Sequence, residues 1–185
     1  MKSDIILIGP PMAGKTTLAK LLAAELQVPR YSLDDLRWPY MKEIGYDEDL
    51  DKEFRHKGGF LARALYWQLF GPHVVERFLA DHDGGVMDLG GGHTVYENRE
   101  SFERVKRALA PYANVFLILP SADMNSSIRV LCDRLAGEPV ELNFDFITHF
   151  VRHPANYALA KHIVYTEGRT AEECKVLILG LAVMR

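Results

Sequence analysis

Residues 9–16 constrain the fold more tightly than any other part of this chain. They spell the pattern G-x-x-x-x-G-K-[ST], follow the apolar run 5–8, and precede a helical pattern over residues 17–26. In such a loop the backbone N–H groups converge on phosphate oxygens, and the N-terminus of the following helix adds partial positive charge. The sequence therefore predicts a strand, a phosphate-binding loop (P-loop) and a helix. The predicted nucleotide-binding residues are Pro11, Met12, Ala13, Gly14, Lys15, Thr16 and Thr17.

Three side chains around this loop carry the predicted phosphate chemistry. Lys15 is expected to reach the β- and γ-phosphates, and the Thr16 hydroxyl is expected to ligate Mg²⁺. Asp88 closes the apolar run 85–89, and an acid at the end of such a strand commonly holds Mg²⁺, often through water. We therefore predict a nucleotide site with Mg²⁺ held by Thr16 and Asp88.

Composition limits the partners of the chain. Its 185 residues carry a net charge of −3, which gives no support for binding nucleic acid or a membrane surface through bulk charge. Cys132 and Cys174 match no metal-binding spacing and indicate free thiols in a reducing compartment. The first strand starts too close to Met1 for a signal peptide, and no apolar stretch approaches the ~20 residues of a membrane span. We expect one cytoplasmic domain over residues 1–185, as a monomer or weak homodimer.

Short apolar runs alternate with longer helical patterns, which is typical of a parallel sheet with helices on both faces. We predict an α/β fold with three αβα layers and a five-stranded parallel sheet of the P-loop NTPase and kinase type. Ser121 is predicted to cap the helix ending near Leu135, and Asn98 the helix ending before Pro111. The predicted strands are residues 4–8, 30–32, 85–89, 114–119 and 162–165.

Two regions of the sequence are additional to the predicted five-stranded sheet and its covering helices. Residues 58–72 form an apolar helical segment that looks inserted, and Gly71-Pro72 is expected to separate it from the next helix. Residues 136–154 look like a lid that carries one amphipathic helix. A helix that is apolar around much of its circumference must be buried. We therefore expect the inserted segment either to reshape a substrate pocket under the lid or to pack against a second chain.

Polar and glycine residues follow the second and third predicted strands, on the same edge of the sheet. Asp34 comes just after the second strand, where its carboxylate can orient or deprotonate a hydroxyl group. The glycine triplet Gly90, Gly91 and Gly92 follows the third strand and places bare backbone where ligands bind in open α/β sheets. The alternative for the glycine triplet is a flexible loop without a ligand. The alternative for Asp34 is an acid that only favours the N-terminus of the following helix.

Together these features resemble those of the shikimate kinase family, which are small-molecule kinases related to adenylate kinase. The resemblance covers most of the chain and includes the P-loop, Leu33-Asp34-Asp35-Leu36, the glycine triplet and Arg152-His153-Pro154. It implies an ATP-dependent kinase that phosphorylates a hydroxyl of a small, anionic metabolite with Mg²⁺ as its metal.

The resemblance also implies roles for individual residues. Asp34 and the glycine triplet would contact the acceptor, while Arg55 and Arg152 would pair with its carboxylate. Arg129 would lie beside the adenine, and Arg134 is the arginine nearest to the lid. The implied catalytic residues are Lys15, Asp34 and Arg134.

Three departures from the family pattern border the acceptor pocket. Ser32 stands where the family has the first acid of an Asp-x-Asp pair, so support for Mg²⁺ falls to Asp88. Phe54-Arg55 lies more than ten residues farther from the glycine triplet than the family pattern expects. Lid residues 138–141 read EPVE in place of Arg-Pro-Leu-Leu. Kinase chemistry is still expected, and shikimate itself is left open as the acceptor.

Other interpretations fit the sequence less well. A nucleotide-binding regulatory or assembly protein with weak ATPase activity is the rival function on the same fold. Residues 88–91 also read D-x-x-G, as in GTPases, but no Asn-Lys-x-Asp motif follows. His149 and His153 have the spacing of metal ligands on a helix, but no third ligand stands beside them in the sequence. We interpret them as solvated lid histidines.

Overall fold

The computed structural model describes residues 2–136 and 144–183. These residues form one sheet in which all strands are parallel, in the order β2-β3-β1-β4-β5. Helices cover both faces of the sheet, so the predicted α/β fold with a five-stranded parallel sheet is confirmed. The strands are β1 (Lys2–Ile8), β2 (Arg30–Ser32), β3 (Val86–Asp88), β4 (Tyr112–Leu119) and β5 (His162–Tyr165).

The alternation of side chains along β1 divides the core into two layers. Successive side chains of a strand point to opposite faces, so a strand covered on both faces is apolar throughout. Ile5 and Leu7 pack with the helices of one layer, which are α1 (Lys15–Leu26), α6 (Met124–Leu135), α7 (Phe144–Arg152) and α9 (Ala171–Leu181). Ile6 and Ile8 pack with those of the other layer, which are α2 (Leu33–Glu43), α3 (Glu48–Gln68), α4 (Gly71–Asp81), α5 (Arg99–Leu109) and α8 (Pro154–Leu159).

Several predicted element ends need correction. β1 and β4 each begin two residues earlier than predicted, and β3 is shorter by one residue at each end. Asp123, not Ser121, caps α6, because the Asp123 carboxylate accepts a hydrogen bond from the backbone N–H of Ser126. The Asn98 cap is confirmed, since its side chain accepts from the N–H of Ser101.

The helix α3 is bent at Gly58 and Gly59, where the backbone is not helical. Its two halves are joined by a buried ion pair, in which Arg63 donates to the Asp51 carboxylate with N–O distances of 2.7 and 2.8 Å. The indole N–H of Trp67 donates to the same carboxylate at 2.6 Å. The predicted segment 58–72 thus starts at this bend, and a separate helix, α4, starts at Gly71, as Gly71-Pro72 predicted.

Only part of the predicted lid can be described. Residues 137–143, including the EPVE stretch at 138–141, lie outside the described residues. Residues 144–152 form α7, whose Ile147 and Val151 are buried against the layer of α1 and α6. No helix in the described part of the chain is both long and apolar enough to cross a membrane.

Candidate active site

The P-loop connects β1 to α1 as the motif predicts. Gly14 has a φ of 91° immediately before α1, and Met12 also lies in the left-handed region, with a φ of 63°. A left-handed backbone at a non-glycine residue is uncommon and is often found at functional sites. Thr17 is exposed in the first turn of α1, whereas Ala13 is buried.

Lys15 is buried at the base of this loop, with 7% of its surface exposed. Its Nζ donates a hydrogen bond to the carbonyl oxygen of Pro10 at 2.9 Å. Burial lowers the pKa of Lys15, while the nearby Asp88 and Asp34 carboxylates act to raise that pKa. The ammonium thus lies in a poorly hydrated place, where a phosphate group would be a strong electrostatic partner.

Thr16 and Asp88 meet at the carboxyl end of the central strands. The Thr16 hydroxyl donates to Asp88 Oδ2 at 2.6 Å. The other carboxylate oxygen, Oδ1, is buried and has no hydrogen-bond partner among the described residues. Burial raises the pKa of Asp88, against the opposing effects of Lys15 and the Thr16 hydroxyl. A hydroxyl beside an unpartnered carboxylate oxygen fits Mg²⁺, which prefers oxygen ligands.

A cavity of about 690 Å³ extends from the P-loop to α3 and α7. This volume lies within the range of small-molecule sites, about 300–1,000 Å³. The phosphate end and the edge of the sheet contribute Pro11, Met12, Lys15, Thr16, Asp34, Asp88, Gly91, Gly92 and His93. The structure thus brings the predicted phosphate-binding side chains and the predicted acceptor acid to one cavity.

The Asp34 carboxylate is held by two basic side chains. Arg37 donates to Oδ1 at 2.9 Å, and His93 Nε2 lies 3.5 Å from the same oxygen. Desolvation acts to raise the pKa of Asp34. The hydrogen bond from His93 and the charges of His93, Arg37 and Lys15 outweigh this effect and lower the pKa to about 2. Just over half of the Asp34 side chain is still exposed, so the carboxylate remains accessible from the cavity.

Because Gly90 has no Cβ atom, the Asp34 carboxylate can lie directly against it. A Cβ atom added at Gly90 would overlap both carboxylate oxygens and Cγ of Asp34. β2 and β3 are paired so that Ser32 lies opposite Asp88, which brings the residues after the two strands together. Any larger residue at position 90 would therefore displace the acid.

Sequence reasoning missed Arg37 and His93. The guanidinium of Arg37 lies 4.5 Å from the ring centroids of both Trp38 and Trp67, and its Nε is buried without a partner among the described groups. Desolvation lowers the pKa of Arg37, opposed by the Asp34 charge. The i,i+3 spacing of Asp34 and Arg37 on a helix was a readable sign of their pairing. His93 follows the glycine triplet directly in the sequence.

None of the four predicted arginines, Arg55, Arg129, Arg134 and Arg152, lines the main cavity. Arg134 Nη1 donates to the carbonyl of Met12 at 3.1 Å, which places it beside the P-loop. Arg152 Nη2 donates to Asn125 Oδ1 at 2.7 Å, and Arg152 lines a second cavity of about 380 Å³ together with Arg129. Arg55 is exposed in the first half of α3 and is not among the described residues that line the main cavity. Neither Arg55 nor Arg152 therefore lines the cavity together with Asp34.

The two lid histidines have an acidic neighbour that the sequence did not reveal. Glu97 Oε1 lies 3.2 Å from His149 Nε2 and 3.6 Å from His153 Nε2, and the three groups are spaced as metal ligands can be. However, Nδ1 of His153 accepts a hydrogen bond from the N–H of Ala155, so its Nε2 carries the proton and faces Glu97. A metal at Nε2 would disrupt this cap. We interpret the cluster as hydrogen-bonded contacts between α7 and the loop before α5.

Replacing His93 with phenylalanine is expected to raise the pKa of Asp34 from about 2 towards its ordinary value of 3.8. The lowered pKa contributes to folding stability above the ordinary value, and this contribution is lost as pH falls towards 2. The variant should therefore lose less stability than the wild type between pH 4 and pH 2. Titration of ¹³C-labelled aspartate carboxyls by NMR measures the shift, and an unchanged Asp34 pKa would contradict the assigned role of His93.

Known structures share this architecture over nearly their whole length. Shikimate kinase from Acinetobacter baumannii, solved with shikimate, has a TM-score of 0.65 and 19% identity, covering 98% of this chain and 93% of that one. Shikimate kinase from Aquifex aeolicus has a TM-score of 0.60 and 21% identity, covering 96% of this chain and 95% of that one. The tunicamycin resistance protein from Deinococcus radiodurans has a TM-score of 0.57 and 14% identity, covering 97% of this chain and 95% of that one. No family model and no curated protein matches the sequence. The chain has the fold of shikimate kinases and related P-loop kinases.

Proposed function

We propose that this chain, built on the shikimate kinase fold, is an ATP-dependent kinase that phosphorylates a hydroxyl group of a small molecule. The observation that carries the proposal is one cavity lined by Lys15 and Thr16 at one end and by the Asp34 carboxylate beside them. Phosphoryl transfer requires little covalent chemistry from the protein and depends on positioning and charge. This arrangement supplies both requirements.

The phosphate end of the cavity would bind and neutralise the triphosphate. The backbone N–H groups of the P-loop and the N-terminus of α1 would hold the phosphates. Lys15 would move its hydrogen bond from Pro10 to a phosphate oxygen, and Arg134 lies beside the loop as a second cation. Thr16 and Asp88 would hold Mg²⁺, which supplies positive charge to the phosphate oxygens when it is bound.

Asp34 would orient the acceptor hydroxyl rather than remove its proton early. A carboxylate with a pKa of about 2 is a weak base, and general-base catalysis is most effective when the pKa lies near the working pH. A loose phosphoryl-transfer transition state places little demand on the base. The low pKa instead keeps Asp34 ionised, so that it accepts a hydrogen bond from the hydroxyl.

Shikimate is not the acceptor that this cavity fits best. The Acinetobacter baumannii enzyme of the same fold was solved with shikimate. In this chain the two arginines that the resemblance assigns to the acceptor carboxylate, Arg55 and Arg152, do not line the cavity. We therefore propose another hydroxyl compound as the substrate. Cys132 and Cys174 are free thiols, which suits an enzyme of the reducing cytoplasm, where ATP is made.

The purified protein is expected to bind ATP in a Mg²⁺-dependent manner and to transfer its γ-phosphate to a component of a low-molecular-weight cell extract. Incubation with γ-labelled ATP, followed by separation of labelled small molecules, measures this activity. A labelled product other than inorganic phosphate would support the kinase proposal. Slow ATP hydrolysis that no extract fraction accelerates would favour the regulatory alternative, and failure to bind ATP would overturn both.

A further inference from the structure

One part of the cavity is walled by apolar side chains of α3 and α7. Two of them, Leu61 and Leu65, have 63% and 53% of their surfaces exposed, although large aliphatic side chains are usually buried. A contiguous exposed apolar surface inside a cleft is typical of a ligand site. The wall residues are Phe60, Leu61, Leu65, Trp67, Phe146 and Phe150.

Aromatic contacts join the two sides of this wall. The ring of Phe60 on α3 meets that of Phe146 on α7 edge to face, with centroids 5.4 Å apart. Phe146 in turn contacts Phe150 at 4.5 Å, and Phe60 contacts Trp67 at 6.5 Å. The wall is thus one packed surface rather than scattered side chains, and it offers ring faces and edges of the kind that flat apolar groups bind.

The charges in the cavity do not favour a small anion as the acceptor. The two Lys or Arg side chains among its described lining residues are Lys15, which serves the phosphates, and Arg37, which already pairs with Asp34. Glu97 also lines the cavity and is paired with His149. A carboxylate beside Asp34 would therefore meet a negative charge, and the arginine of the described lining already donates to Asp34.

We propose that the acceptor is an amphiphilic alcohol, with a hydroxyl group at one end and an apolar, ring-sized body at the other. The hydroxyl would lie against Asp34, and the body would pack on the wall of α3 and α7. This inference rests on the proposed kinase function for the role of the hydroxyl group. The apolar body is argued from the wall alone.

Glycerol and its phenyl ether provide the test. Glycerol and 3-phenoxypropane-1,2-diol present the same terminal diol, and only the second carries an apolar ring. In calorimetric titrations with ADP and Mg²⁺ present, the phenoxy diol is expected to bind at least tenfold more tightly than glycerol. With ATP, it should be phosphorylated more efficiently than glycerol or shikimate. Equal affinities for glycerol and the phenoxy diol, or shikimate as the better acceptor, would overturn the inference.

Leu65→Asp and Leu69→Asp form a matched pair of variants. Both side chains are exposed near the C-terminal end of α3, but Leu65 lines the cavity and Leu69, 72% exposed, does not. Leu65→Asp should remove the tenfold preference for the phenoxy diol, because the carboxylate would need to be desolvated under the ring. Leu69→Asp should retain the preference. Equal loss of preference in both variants would overturn the assigned wall.

Failure of the kinase proposal gives a different result from failure of this inference. Binding of the phenoxy diol that depends on Leu65 but yields no phosphorylated product would support the apolar acceptor end and contradict the kinase. Phosphorylation of polar acceptors alone would support the kinase and overturn the apolar acceptor. ADP binding, which the two Leu→Asp variants are expected to retain, verifies that each variant is folded.

Discussion

Lys15→Ala is expected to slow phosphoryl transfer by roughly 10²–10³, which corresponds to about 2.7–4 kcal/mol of lost transition-state stabilisation. The Lys15 ammonium is buried under the P-loop and is held in place by the Pro10 carbonyl. In such a poorly hydrated place a charge stabilises the transferring phosphoryl group far more than it would in water. Single-turnover assays with saturating ATP measure the effect on the chemical step.

The backbone cradle should survive this substitution, so ADP affinity is expected to fall much less than the rate. Lys20→Ala is the matched control, because Lys20 is exposed on the same helix, α1. It removes the same charge from the chain without touching the cavity and should keep the wild-type rate. A Lys15→Ala enzyme with near-native turnover would contradict the proposed phosphate site.

Gly90→Ala is expected to lower the rate of transfer by about 10² while leaving the fold intact. The added methyl group overlaps the Asp34 carboxylate, and the overlap is relieved when that side chain rotates away. Displacing a positioning group by about 1 Å can cost 10²-fold in rate. Steady-state kinetics combined with thermal unfolding would separate the loss of positioning from a loss of stability.

A second glycine gives the control for that experiment. Gly180 lies in α9, where an added Cβ would meet no atom within 4 Å. Gly180→Ala should keep the wild-type rate and stabilise the protein by roughly 0.5–1 kcal/mol, as expected for alanine in place of glycine inside a helix. Wild-type kinetics in Gly90→Ala would show that the position of Asp34 is not required for catalysis.

Local patterns in the sequence were enough to predict that Lys15, Thr16 and Asp88 meet in one cavity. Lys15, Thr16 and Asp88 each follow or end a strand, and the strands of a parallel sheet bring such residues to one edge. The backbone hydrogen bonds of the sheet determine which strands are neighbours and so hold these residues close together. The strands themselves can be predicted from short apolar runs in the sequence. The hydrogen bond between Thr16 and Asp88 spans 72 residues but needs only correct strand order.

The acceptor end was predicted less well because it depends on how helices pack. Arg55 was the candidate for the second acceptor arginine, yet it is exposed on the first half of α3, before the bend at Gly58 and Gly59, and does not line the cavity. Glu97 meets His149 only because α7 folds back over the loop before α5. That contact has no local sequence pattern, since it follows from side-chain packing between distant segments.

The apolar wall begins just after the bend in α3. The residues proposed for phosphoryl transfer lie at the edge of the sheet, whereas the wall lies on α3 beyond Gly59 and on α7. Leu61 and Leu65 are largely exposed, so substitutions there carry little cost in folding stability. We therefore expect substitutions at Leu61 and Leu65 to change which acceptor binds without altering the residues proposed for phosphoryl transfer.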